Sequence, residues 1–146
     1  MILGVLLSTD SWIFRKFIPW LADTYANKPS IVTWIASITY GGAIEEVMMR
    51  LFVMSFIVFV VWKVFFREKK EVPTSIFVFA NILSAILFAT GHLPSTITMY
   101  GAITVPVLLR TYLINCAGGL CFGYFYRTYG IQYAMLSHMG HILCGN

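Results

Sequence analysis

An all-α, polytopic transmembrane bundle is the fold class this chain predicts, and three observations carry the expectation. The composition is 59% hydrophobic and only 11% charged, with a mean hydropathy of +0.80, far from the roughly 25% charge of a soluble domain. Apolar runs follow one another with short connections, from Ile31 to Phe66, Thr74 to about Gly91, about Ile103 to Tyr126, and Ile131 to about Cys144. The basic residues gather mostly at the ends of those runs, as membrane flanks do, so the net charge of +4 does not argue for nucleic acid. About four spanning helices are expected, preceded by an N-terminal interfacial or marginal helix. With no linker or internal repeat, residues 1–30 form a leading segment and 31–146 a single transmembrane core.

In the leading segment, Trp12, Ile13, Phe14, Phe17, Ile18, Trp20 and Leu21 are interrupted by Arg15, Lys16, Pro19 and Asp23. Aromatic and basic residues side by side suit the headgroup level. The apolar start, Met1 to Ser8, lacks the basic region and small-residue cleavage site of a removable signal peptide. Pro29 and Ser30 then open the first long helix. Its apolar run would measure about 54 Å if straight, against a hydrocarbon core of about 30 Å. It must bend, tilt or protrude, and Tyr40-Gly41-Gly42 is the expected break.

Arg67-Glu68-Lys69-Lys70-Glu71-Val72-Pro73 reads as a solvated loop, and Pro94-Ser95 marks the exit of the second span. In the third span, Gly119 and Gly123 at i,i+4 permit close helix contact, and Arg110 is a candidate partner for a carboxylate or a lipid headgroup. Arg127 and Gly130 close that span. The basic loop and Arg127 fall on one side after two crossings, the cytoplasmic side by the positive-inside rule. Cys116, Cys121 and Cys144 have no metal-ligand or CxxC spacing and read as packing.

Against this background Glu45, Glu46 and Arg50 stand out, because each charge at membrane depth costs about 2.5 to 3.5 kcal/mol on insertion scales. All three histidines also lie in or at the ends of apolar spans. Glu46 and Arg50, at i,i+4, can pair on one flank of the helix. Glu45 points about 100° away, lacks a local cation, and is the candidate general base. Phe88 and His92 share a face at the end of the second span, while His138 and His141 are i,i+3 in the last helix. Taken singly, His92 reads as a helix-end group at the interface and Phe88 as packing beside it. If Thr74 and Ile131 both sit at one membrane surface, His92 lies about 27 Å along its helix and His138 only about 10 Å, so tilt or offset must bring them level.

Glu45-Glu46-x-x-x-Arg50, then Phe88-x-x-x-His92, then a histidine in a short last helix preceded by Phe122-Gly123-Tyr124-Phe125-Tyr126-Arg127-Thr128-Tyr129-Gly130, resembles the CAAX-protease and bacteriocin-processing (CPBP, or Abi) family of intramembrane endopeptidases. The resemblance covers about residues 31 to 146. It implies that Glu45 activates a water, that His92 helps to hold it and that His138 binds the developing oxyanion, with Glu46 and Arg50 in support. Peptide hydrolysis needs these parts: a base, a positioned water and donors aimed at developing charge. The family usually has Asn or Asp four positions after the last histidine. That place is Ile142 here, and His141 is the substitute donor from a neighbouring face.

The expected activity is a metal-independent glutamate endopeptidase with no cofactor. Its partners would be the bilayer and a peptide at the membrane, a prenylated C-terminus or a bacteriocin-type leader. A zinc enzyme is the second reading, since Glu45, His92 and His138 are zinc-ligand types, although HExxH spacing is absent. A third is a non-enzyme of the same fold, an immunity or scaffold protein or a proton relay. A plasma membrane is the expected location, with the endoplasmic reticulum as the alternative.

Overall fold

The computed structural model describes residues 9–10, 12–19, 21 and 29–145. Among the described residues the regular elements of the core are helices: α1 (Ile31–Phe65), α2 (Thr74–Gly91), α3 (Leu93–Tyr100), α4 (Val105–Tyr129) and α5 (Ile131–Gly145). Three helical stretches are long and apolar enough to cross a membrane: Ile31–Phe65, Thr74–Tyr100 and Val105–Tyr129. The last helix, 15 residues or about 22 Å, is shorter than the roughly 30 Å hydrocarbon core. The expected interfacial helix in residues 1–30 falls largely outside the described residues.

Ser30 caps α1, its Oγ accepting the Thr33 N–H at 3.1 Å, which satisfies one of the orphan donors of a helix start. The helix does not break at Tyr40-Gly41-Gly42. It continues to Phe65 and instead widens into π-helical turns over Tyr40–Glu45 and again over Val47–Met54. The physical reason is visible across the interface. Gly41 and Gly42 are buried under α5, and a Cβ added to Gly42 would run into the side chain of Met139. Close approach, rather than a chain reversal, is what these glycines allow, and the widened turns keep the backbone hydrogen-bonded while it happens.

Past Gly91 the chain does not leave the bundle at Pro94. His92 ends α2 and α3 follows directly, with Pro94 in its first turn, where a missing N–H costs nothing. Gly101 (φ 74°) ends α3, and Gly130 (φ 101°) separates α4 from α5, both in the left-handed region that a side chain would strain.

The most extensive packing is between α2 and α4, and then between α4 and α5. The expected close contact at Gly119 and Gly123 is made on α2. A Cβ on Gly119 would meet the Ala85 Cα at 3.1 Å, and Gly123 lies against Asn81, whose Nδ2 donates to the Leu120 carbonyl at 3.0 Å. Arg110 finds a carboxylate, donating to Asp10 at 2.6 Å through Nη2 and to the Tyr100 hydroxyl at 3.0 Å through Nη1. Ile18 and Leu21 pack with Tyr100 and Val107 at the same end. At the opposite end Arg127 donates to the Thr74 hydroxyl at 2.9 Å, so the α1–α2 loop and the close of α4 share one face of the bundle.

Candidate active site

The charged stretch of α1 faces α2, α4 and α5, and its polar groups are tied together across all of them. Glu46 and Arg50 are both fully buried, with Arg50 Nε donating to Glu46 Oε2 at 3.1 Å. The other oxygen, Oε1, accepts from His138 Nδ1 at 2.9 Å. Arg50 Nη1 donates to Ser84 Oγ at 3.0 Å, and that hydroxyl donates in turn to the Met49 carbonyl at 3.1 Å. The guanidinium also lies 5.8 Å from the centre of the Phe88 ring. A carboxylate shared between a guanidinium and an imidazole, with both oxygens used, is the arrangement that lets charges survive burial.

Glu45 was expected to point away from its neighbour and to do separate work. In the widened turns both carboxylates reach the same imidazole, from opposite nitrogens. Glu46 holds Nδ1, and Glu45 Oε2 stands 4.0 Å from Nε2. Glu45 keeps 20% of its side-chain exposure where Glu46 keeps none. It also lines a cavity of about 140 Å³ with Tyr40, Met48, Phe88 and His92.

His92 therefore shares a cavity with Glu45, but it is held by its own helix, its Nδ1 donating to the Phe88 carbonyl at 2.9 Å. That bond fixes the tautomer and leaves Nε2 as the nitrogen available to a ligand. Phe88 separates the two imidazoles. Its ring meets His92 at 4.5 Å and His138 at 5.7 Å, both edge-on. His138 thus comes level with Phe88, one turn before His92, through this ring contact.

His138 is clamped on its other face by Phe122, fully buried and stacked at 4.4 Å with an 18° interplanar angle. His141 meets the edge of that ring, 5.8 Å from Phe122, and lies 6.4 Å from His138. It is not brought to the cavity that holds Glu45. Ile142 is the nearer neighbour of the site, since a Cβ built on Gly41 would lie 2.8 Å from Ile142 Cδ1, 3.7 Å from His138 Nε2 and 3.8 Å from Glu45 Oε2. Gly41 thus keeps a side chain out of the flank between the carboxylate and the imidazole, and Ile142 Cδ1 packs there instead.

Among the described residues, no three of His, Cys, Asp and Glu form a set able to hold a metal ion. Cys116 and Cys121 are free, half-buried thiols, and Cys116 Sγ donates to the Ala85 carbonyl at 3.7 Å.

A family model described as type II CAAX prenyl endopeptidase Rce1-like matches residues 27–143. The chain belongs to the Rce1-like family. Neither the curated proteins nor the solved structures give a match. Membership makes this an integral membrane protein of a protease family whose substrates are peptides at the bilayer, and its three span-length helices agree. The Rce1-like match contains every residue of the cluster, from Gly41 to Ile142, and leaves Asp10 outside.

Two site residues escaped sequence reasoning. Ser84 is a lone hydroxyl in the apolar run from Ile82 to Phe88, and a polar group inside a span is the signal that could have marked it. Phe122 sits within the aromatic stretch before Gly130, where nothing distinguishes it from lipid-facing neighbours.

Proposed function

We propose that this protein is an intramembrane endopeptidase in which Glu45 draws a proton from a water as that water attacks a peptide carbonyl. The observation that carries the reading is the pairing of Glu45 Oε2 with His138 Nε2 at 4.0 Å, at a cavity also lined by His92. Two atoms that far apart leave room for one water oxygen about 2.8 Å from each. In this reading His92 Nε2 helps to hold the water. His138 as an imidazolium, its charge answered at Nδ1 by Glu46, presents Nε2–H to the developing oxyanion. Glu46, Arg50 and Ser84 act through His138 and are positioning residues. The proton taken by Glu45 goes to the departing amine, which closes the hydrolysis.

The substrate class proposed is a peptide delivered at the membrane, a prenylated C-terminus before a bacteriocin-type leader, given the family's description. A second reading, a chain of the same fold with impaired catalysis, is favoured by one observation. Ile142 brings a methyl group, not a donor, to the edge of the site.

The test is cleavage of a fluorogenic peptide with a prenylated CAAX-type C-terminus by the purified protein in lipid nanodiscs. Wild type is expected to cleave it, Glu45→Ala to lose cleavage, and strong chelation to leave it unchanged. Loss on chelation with recovery on adding zinc would move the reading to the metal enzyme. A folded wild type that cleaves neither this peptide nor a leader peptide would sink catalysis.

A further inference from the structure

A second cavity lies elsewhere. It is a groove of about 580 Å³ between the second half of α1, the start of α2 and the end of α4. Val58, Trp62 and Phe77 line it, along with the hydroxyl pair Ser55–Tyr126, which is 2.8 Å apart. Arg127 lines it too, at the end where two spans meet the water: Thr74 opens α2, and Arg127 is in the last turn of α4. From Trp62 back to Ser55 the groove follows α1 for about 10 Å, toward the depth of the membrane.

The charges at this end are unbalanced. Arg127 donates to the Thr74 hydroxyl and lies 4.7 Å from the Phe77 ring centre, and among the described residues no carboxylate pairs with it. The adjoining loop adds Arg67, Lys69 and Lys70 against Glu68 and Glu71, all exposed. Within the wall, the Trp62 indole N–H is buried without an acceptor among the described residues. A guanidinium at the water level, apolar walls running into the hydrocarbon, and a donor below in want of an acceptor match one ligand in chemistry and depth. That ligand has an anionic head, ester carbonyls and an acyl chain.

We infer that this groove is a binding site for one anionic phospholipid, with its phosphate on Arg127 and an acyl chain lying between α1 and α4 against Val58 and Trp62. The site is separate from the Glu45 cluster, and it holds whether or not that cluster cleaves peptide. It does adjoin the cluster. Ser55 Oγ, at the inner end, donates to the Arg50 carbonyl at 3.1 Å, so the occupant packs one turn from the ion-paired guanidinium.

The experiment uses the fluorescence of Trp62 in the full chain reconstituted into zwitterionic vesicles. A minor fraction of chain-brominated phosphatidylglycerol or, separately, chain-brominated phosphatidylcholine is added, and Trp62→Phe defines the Trp62 share of the signal. One basic contact near the membrane surface enriches an anionic lipid about fivefold. Half-quenching of Trp62 is therefore expected at about one-fifth as much brominated anionic lipid as zwitterionic lipid. Arg127→Gln should erase that difference, and Lys63→Gln, an exposed cation of α1 outside the groove, should preserve it. Val58→Phe, which leaves every charge and fills the groove, should erase it as well and covers the case in which Arg127→Gln fails to fold. Added inorganic phosphate should not compete. Equal quenching by the two lipids overturns the proposal, as does equal loss in Lys63→Gln and Arg127→Gln, which would mean diffuse surface charge. Protection of Trp62 from both lipids by self-association would also overturn it, by making the groove an interface between copies.

Discussion

Replacing Glu46 by Gln keeps the shape of a fully buried side chain and removes the charge that two partners share. Two charge-assisted bonds are affected, Arg50 Nε at 3.1 Å and His138 Nδ1 at 2.9 Å. Bonds of this kind contribute about 1.5–3 kcal/mol each. Arg50 would be left with Ser84 and the Phe88 ring face, and its Nη2 already has no partner among the described residues. Breaking a buried ion pair from one side costs about 3–5 kcal/mol, because the remaining charge stays uncompensated. Glu45→Gln, one residue earlier, removes a carboxylate that is 20% exposed and whose nearest cationic partner is 4.0 Å away, so its cost should stay under about 1 kcal/mol. The pair predicts a crossed outcome in reversible unfolding in mixed micelles and in peptide cleavage. Glu46→Gln loses stability, whereas Glu45→Gln keeps stability and loses cleavage by about 10²–10⁴-fold, the usual worth of a general base. The double replacement Glu46→Leu with Arg50→Met removes both charges and should recover most of the lost stability. The reasoning is refuted if Glu46→Gln unfolds within about 1 kcal/mol of wild type, which is the range of an exposed pair. It fails equally if Glu45→Gln falls as far.

Three further outcomes are expected. Gly41→Ala should fold, because the atom it crowds is the flexible end of Ile142 at 2.8 Å. It narrows the space between Glu45 and His138, so cleavage should fall tenfold or more, on the order of the loss of one positioned contact, with the unfolding midpoint little changed. Ser84→Ala strips an acceptor from buried Arg50 and should cost about 1–3 kcal/mol, measured as a shift in the unfolding midpoint. His141→Gln should retain most of the cleavage that His138→Gln abolishes, since His141 is not among the residues that line the Glu45 cavity; comparable losses would place His141 in the site.

The sequence made the cluster visible for a thermodynamic reason. Charges inside an apolar run are conspicuous because the bilayer penalises them, and that singled out Glu45, Glu46 and Arg50 without any knowledge of what they touch. The boundaries at Thr74 and Gly130 were legible for a steric one, Pro73 standing just ahead of α2 and Gly130 being held at φ 101°. What could not be read was the second partner of Glu46. His138 is 92 positions away, and no local periodicity encodes which helix will face which. An ideal α-helix sets Glu45 and Glu46 about 100° apart, which says nothing of the widened turns that put them at opposite nitrogens of His138. The π-helical turns on either side of Glu46 depend on how closely α5 sits on Gly41 and Gly42, a tertiary fact. Phe122 was hidden by abundance, being one of 12 phenylalanines in the chain.

The burial pattern divides the four ionisable groups of the cluster by task. Glu46 and Arg50 have no exposure and complete one another, while Glu45 alone keeps contact with a cavity and has no hydrogen bond to a cation. A fold selected only for stability would gain little from Glu45, as a carboxylate in an apolar span costs free energy and its close ionisable partner, His138 Nε2, stands 4.0 Å away. The neighbouring elements show the same bias. The π-helical turns bring that carboxylate and Glu46 to one imidazole, Gly41 adds no side chain between Glu45 and His138, and Phe88 and Phe122 both contact the ring. The fold ties His138 to Glu46 by a hydrogen bond and leaves Glu45 partly exposed at a cavity that His92 also lines. That asymmetry is what the proposed water-mediated hydrolysis in a membrane would require.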